Sequence, residues 1–141
     1  MTARSDPFSH LILAPSQQAA NNYLALHRHS FSSPERLWFF CYGNLPTHSL
    51  ITPLIHSCNK KKIILIHEND LLGNVAAIKI ACWLKRRTVQ ITYEIVGTIC
   101  IRYRGKLYYF PEHKLSLSRF EKSAGFRSQI KTYKIPNPNL I

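Results

Sequence analysis

Glu68 and Asp70 are the only two acidic side chains of this chain that stand within four positions of each other. They follow the apolar run Ile63-Ile-Leu-Ile66, and carboxylates two apart at the end of a strand can point the same way. Such a pair can hold a Mg²⁺ ion weakly, through one or two oxygens and several waters, as phosphoryl-transfer sites do. The same spacing also suits a structural role, with Asp70 capping a helix that begins at Leu71 and Glu68 solvated beside it. The residues alone leave both readings open.

Positive charge is the second chemical signal. Nineteen Lys and Arg face seven Asp and Glu, for a formal net charge of +12. Lys85, Arg86, Arg87, Arg102, Arg104, Arg119, Lys122, Arg127 and Lys131 are the candidate nucleic-acid contacts, with the run Lys60–Lys62 leading into an apolar stretch. They fall in expected loops, on a wet strand face or in the basic segment 114–134, where Glu121 is the only acid after Lys114. Tyr103, Tyr108, Tyr109, Phe126 and Tyr133 are interleaved with them. Cations with aromatics suit phosphate neutralisation plus base stacking on single-stranded nucleic acid. A solubilising face, or a face for an acidic partner protein, is the alternative.

Metal-ligand spacing is missing elsewhere. The four cysteines, at 41, 58, 82 and 100, are too far apart for a C-x-x-C pair and read as buried thiols of a reducing cytosol. Seven histidines are scattered, with His27 and His29 the one close pair, and none reads as a zinc ligand.

The elements that must position these residues alternate through the first two thirds of the chain. His10–Ala14 is a short apolar strand stopped by Pro15, and Ser16 can cap a helix over 16–29, broken by Ser32-Ser-Pro34. Arg36–Tyr42 is a second strand ended by Gly43-Asn44, and a helix from about Thr47 to Cys58 bends at Pro53. A third strand over 62–67, continuously apolar, is central, and the helix 71–87 carries Leu71, Val75, Ile78 and Cys82 on one face. Three such strand–helix units predict a parallel α/β sheet with right-handed crossovers and strand one in the middle, so that Pro15 and Asp70 meet at a topological switch point. The period then changes. Residues 89–95, 99–104 and 106–110 alternate apolar and polar, predicting an antiparallel meander or hairpin appended to that sheet. A short helix capped by Ser116 or Ser118 ends near Gly125, and 135–141 reads as an extended, loosely held tail.

A length of 141 residues with 45% hydrophobic composition predicts one domain over 1–141, with a core at 10–87 and an antiparallel and helical addition at 88–134. It excludes disordered, collagenous and disulfide-scaffold classes. No apolar run approaches the roughly 18 residues of a membrane span, and Met1-Thr-Ala-Arg-Ser-Asp6 lacks a signal-peptide layout, so a cytoplasmic protein is expected.

The order Pro15-Ser16, then Tyr42-Gly-Asn44-Leu45, then Ile64-Leu-Ile-His-Glu-Asn-Asp70-Leu-Leu-Gly73-Asn74 resembles a Toprim domain, the topoisomerase–primase fold. The resemblance is to Toprim-like proteins of bacterial plasmids and conjugative transposons. It extends through Leu115–Phe120 and Gly125-Phe-Arg127, covering about residues 10 to 134. In that family strand one ends in a Glu followed by Ser, strand two leads into a Gly-Asn turn, and strand three ends in Asp-x-Asp. Here Pro15 stands at the position of the Glu, which acts in general acid–base chemistry, and Glu68 stands at that of the first Asp. No other carboxylate lies between Asp6 and Glu35. A proline side chain moves no proton.

The resemblance therefore implies a degenerate site at Pro15, Ser16, Glu68 and Asp70, binding Mg²⁺ weakly or not at all. Pro15, taken to lie at an exposed strand end, should accept Glu without harm to the fold. The leading expectation is a non-catalytic, nucleic-acid-associated module of a mobile element, assisting DNA mobilization or replication. The alternatives are a weak Mg²⁺-dependent nuclease or nucleotidyl transferase using Glu68 and Asp70, and an interaction domain docking on a relaxase or primase.

Overall fold

Apolar runs stopped by Pro, Gly or a capping side chain set the boundaries of the first elements. In the computed structural model, which describes residues 9–31, 36–57 and 62–136, β1 runs His10–Ala14 with its last four residues buried. Ser16 Oγ then accepts a hydrogen bond from the Ala19 amide at 3.1 Å and starts α1, Gln17–His27. β2 is Leu37–Cys41. Thr47 Oγ1 accepts from the Leu50 amide at 3.3 Å and opens α2, His48–Ile51, which Pro53 separates from α3, Leu54–Ser57. β3 is Lys62–Glu68, its five central residues all buried. Asp70 caps α4, Leu71–Leu84. Cys58, Lys60, Lys61, the Ser32–Pro34 break, the first eight residues and 137–141 lie outside the described residues.

β1, β2 and β3 form one parallel sheet with β1 between the other two, as the order of segments predicts. Its fourth strand was not expected. Lys131–Ile135 is β7, parallel to β3 with Ile64 opposite Lys131 and Glu68 opposite Ile135, so Ile135, expected to begin the tail, is the last residue of a strand. The sheet order is β2-β1-β3-β7.

The antiparallel segment also differs from expectation. β4 (Val89–Ile95), β5 (Thr98–Tyr103) and β6 (Lys106–Pro111) form a separate three-stranded sheet rather than an extension of the parallel one. Arg104 and Gly105, both at positive φ, make the two-residue turn between β5 and β6, a shape that matches strand twist. α5, Leu117–Ala124, starts at Ser116, whose Oγ accepts from the Arg119 amide, and ends at Gly125 in the left-handed conformation.

Alternation along the strands divides the core. Ile12, Ala14, Ile64 and Ile66 face α1 through Ala20 and Tyr23. Leu11, Leu13, Ile63 and Leu65 face the other way, into a cluster shared by α4, the β5 residues Ile99, Ile101 and Tyr103, and Phe120 of α5. α4 is buried over most of its circumference, including Ala76, Ala77, Ile80 and Ala81, while Leu72, Val75, Lys79 and Trp83 form a stripe that stays exposed or half-buried. Of the expected face, Ile78 and Cys82 are buried and Leu71 and Val75 half-buried, and the helix ends at Leu84 rather than Arg87. One hydrophobic cluster includes residues of both sheets. Among the described residues no helix is long and apolar enough to cross a membrane.

Candidate functional site

The β2-β1-β3 order brings three loops together at the carboxyl ends of the parallel strands, where α/β sheets commonly bind ligands. Pro15, Tyr42, Gly43, Asn44, Glu68 and Asp70 line a shallow crevice of about 310 Å³ there. The Tyr42 hydroxyl donates to the Ile66 carbonyl at 2.6 Å, and burial raises its pKa well above the usual phenol range. Tyr42 is therefore a strut between strands and no acid–base group.

Asp70 in the crevice, and Ser16 and His67 beside it in sequence, have structural occupations. Asp70 Oδ1 accepts from the Gly73 amide at 2.8 Å, capping α4. Ser16 is exposed and caps α1. His67, 2% exposed, donates from Nδ1 to the Glu68 carbonyl at 2.9 Å, and burial lowers its pKa despite that bond. Glu68 itself is exposed. Pro15 departs from its expected place: it is buried against the crevice, so a Glu there would bring a third carboxylate into a dry position. The set fits a tight Mg²⁺ site poorly, since one oxygen of Asp70 is engaged and only Glu68 stands free to ligate. Among the described residues no three His, Cys, Asp or Glu side chains gather as a ligand set.

Cysteine placement divides. Cys82 and Cys100 are buried, with burial pushing the Cys82 thiol up to about 12, whereas Cys41 is exposed on β2. The expectation of buried thiols fails at Cys41 because β2 is an edge strand.

The nine basic residues singled out above are all exposed and are distributed over several elements. Arg102 lies on β5, Arg104 in the turn after it, and Arg119 and Lys122 on α5. Arg87 follows α4, and Arg127 lies between α5 and β7. Lys85, Arg86 and Lys131 do converge, joined by Lys62, around a cleft of about 950 Å³ at the amino-terminal edge of the parallel sheet. Register explains the convergence. His10 is opposite Lys62, and Lys131 is opposite Ile64, so strand starts and the end of α4 share one edge.

His10, Tyr23, His27 and Phe31 supply an aromatic wall to the same cleft. His27 stacks on Tyr23 at 4.3 Å between centroids, and His10 meets Phe31 edge-on at 5.2 Å. Burial, then the charges of Lys62 and Lys131, lowers the His10 pKa. No Asp or Glu is among the described residues that line the cleft. It draws on β1, α1, α3, β3, the end of α4 and β7, so no local motif announced it. The one signal was the basic run that Lys62 closes.

Compared with protein-family models, curated proteins and solved structures, the chain matches none.

Proposed function

We propose that this chain is a non-catalytic, nucleic-acid-associated, Toprim-like module of a mobile genetic element, an accessory in DNA mobilization or replication, working in the cytoplasm. The observation that carries the reading is the contrast between the two ends of the parallel sheet. At the carboxyl end, proline is buried where a family member would hold its acid, and Asp70 is engaged as a cap. At the amino end, Lys62, Lys85, Arg86 and Lys131 border a cleft with no carboxylate among its described lining residues.

Parallel strands in the order β2-β1-β3, with Gly43-Asn44 and Glu68 to Asp70 at one edge, support the Toprim-like part of the reading. Phosphate neutralisation by the exposed cations supports the nucleic-acid part. Mg²⁺ binding on this reading is weak or nil, and a relaxase or primase is the kind of protein alongside which such a module would act.

Fluorescence anisotropy with a labelled single-stranded DNA, titrated across salt, tests the proposal. Affinity should fall with salt at about 0.7 log units per phosphate contact per log unit of salt. Charge reversal at Arg119, Arg127 and Lys131 should weaken binding to all sequences alike. No binding at low salt would overturn the proposal in favour of protein docking. Strand cleavage with Mg²⁺ that disappears in Asp70→Asn would overturn it in favour of an enzyme.

A further inference from the structure

The cleft at the amino-terminal edge lies at the opposite end of the strands from the crevice that a Toprim-like reading singles out. We propose that it is a nucleotide-binding site, in which Lys62, Lys85, Arg86 and Lys131 hold a phosphate and the rings of His27 and Phe31, packed on Tyr23, support a base. For a nucleotide at the end of a strand this deepens the nucleic-acid reading and rests on it; for a free nucleotide it stands alone.

Size and composition both fit. About 950 Å³ is within the range of small-ligand clefts, which run from roughly 300 to 1,000 Å³. The wall is half-buried at His10, His27 and Phe31, which leaves ring surface open, and Tyr23 behind them is 5% exposed and fixes their packing. Aromatic rings accept any base by stacking, and the four cations supply the charge that a phosphate needs. Gln129, also in the lining, adds an amide that can both donate and accept.

One term opposes binding. The carboxyl ends of α1 and α4 reach this edge, and each carries a partial negative charge of about half an elementary charge. Four full positive charges exceed that sum. Lys85, as the C-cap residue of α4, and Arg86 directly after it stand at the source of one of those dipoles.

The backbone gives a second, independent indication. Arg86 and Gln129 are two of the three described non-glycine residues at positive φ, at 59° and 61°, and both line the cleft. Glycine is the unstrained choice after a helix end, so an arginine held there carries local strain. The position gains a guanidinium at the cleft in return.

The test uses the full chain and three probes: adenosine 5′-monophosphate, inorganic phosphate, and a labelled single-stranded DNA with either a 5′-phosphate or a 5′-hydroxyl. The cleft pair Lys62→Glu with Arg86→Glu is compared with the control pair Lys106→Glu with Lys114→Glu, an equal charge change outside the cleft lining. All four residues are exposed, and thermal unfolding checks that both variants are folded.

The parent should bind the mononucleotide at least about tenfold more tightly than phosphate, because stacking adds to charge. The cleft pair should lose mononucleotide binding while the control pair keeps it. A preference of the parent for the 5′-phosphate strand supports the strand-end form, and equal binding of the two strands supports the free nucleotide. Arg86→Gly should raise the melting temperature by roughly 2 to 4 °C and weaken mononucleotide binding several-fold. Absence of mononucleotide binding at millimolar concentration, or binding unchanged in both the cleft pair and Arg86→Gly, overturns the inference. If DNA binding persists in that case, the nucleic-acid reading survives without the cleft. If DNA binding fails while cleft-dependent mononucleotide binding remains, the inference stands as the free-nucleotide form and the broader reading falls.

Discussion

A methyl group at position 73 would overlap the Glu68 carbonyl oxygen and lie 2.7 Å from its carbon and 2.9 Å from its nitrogen. The first turn of α4 therefore rests directly on the end of β3, and glycine is what allows the approach. At an exposed helical site, Gly→Ala gains about 1 kcal/mol from helix propensity. Here the clash is with backbone, which cannot swing aside, and overpacking of this kind costs about 1–3 kcal/mol. Gly73→Ala should thus destabilise the fold on balance, seen as a lower denaturation midpoint; a variant as stable as the parent would show that α4 can slide. The neighbouring cap separates two roles of one residue. Asp70→Ala removes the acceptor for the Gly73 amide and should cost about 1 kcal/mol. Asp70→Asn keeps an acceptor and should stay within a few tenths of a kcal/mol of the parent. Equal losses in the two variants, by urea denaturation, would mean that the charge and not the cap matters.

α5 is tied to the chain that follows it by Glu121, whose carboxylate accepts from the Ser128 amide at 3.1 Å and from the Ser128 hydroxyl. Ser128 is fully buried, and its hydroxyl oxygen in turn accepts from the Ile130 amide at 3.2 Å. Glu121→Ala strands those buried donors and should cost about 1–3 kcal/mol. Glu121→Gln, which retains an acceptor, should lose less, and hydrogen exchange should quicken at Ser128 and Ile130 in the alanine variant alone. Sequence showed Glu121 only as the single acid in a basic segment, because its partner seven residues away lies beyond any helical spacing. The same limit explains the missed strand. β1 and β3 were legible because strands covered on both faces read as unbroken apolar runs. β7, Lys131-Thr-Tyr-Lys-Ile135, is an edge strand whose two lysines break that pattern, and lysine on an edge discourages pairing with other chains. The caps Ser16, Thr47, Asp70 and Ser116 were readable locally, each accepting from an amide three residues on. The crevice followed from three loops in a predictable strand order. The basic cleft depended on β7 and on where α4 ends, and neither was available from spacing.

Across the whole molecule, charge and burial act together when the pH falls. His67 and His10 both have pKa values lowered below 6.5. For His67 burial dominates, the hydrogen bond to the Glu68 carbonyl and the charge of Asp70 work against the shift, and Lys134 adds to it. For His10 burial is followed by Lys62 and Lys131. Between each lowered folded-state value and 6.5, the unfolded chain binds more protons than the folded one. Stability must therefore rise with pH through that window, be complete above about 6.5, and decline as the pH falls below it. A single histidine contributes a slope of at most about 1.4 kcal/mol per pH unit. Added positive charge on a chain already at +12 acts in the same direction through self-repulsion. Denaturation midpoints measured from pH 7.5 to 5 should hold level at first and then drop. His67→Gln should flatten that drop whatever its effect on stability at pH 7.5, because the group that takes up the proton on unfolding is gone. A profile of unchanged slope in His67→Gln would mean that His67 is already free to protonate in the folded state, and that β3 opens at its carboxyl end more readily than its burial implies.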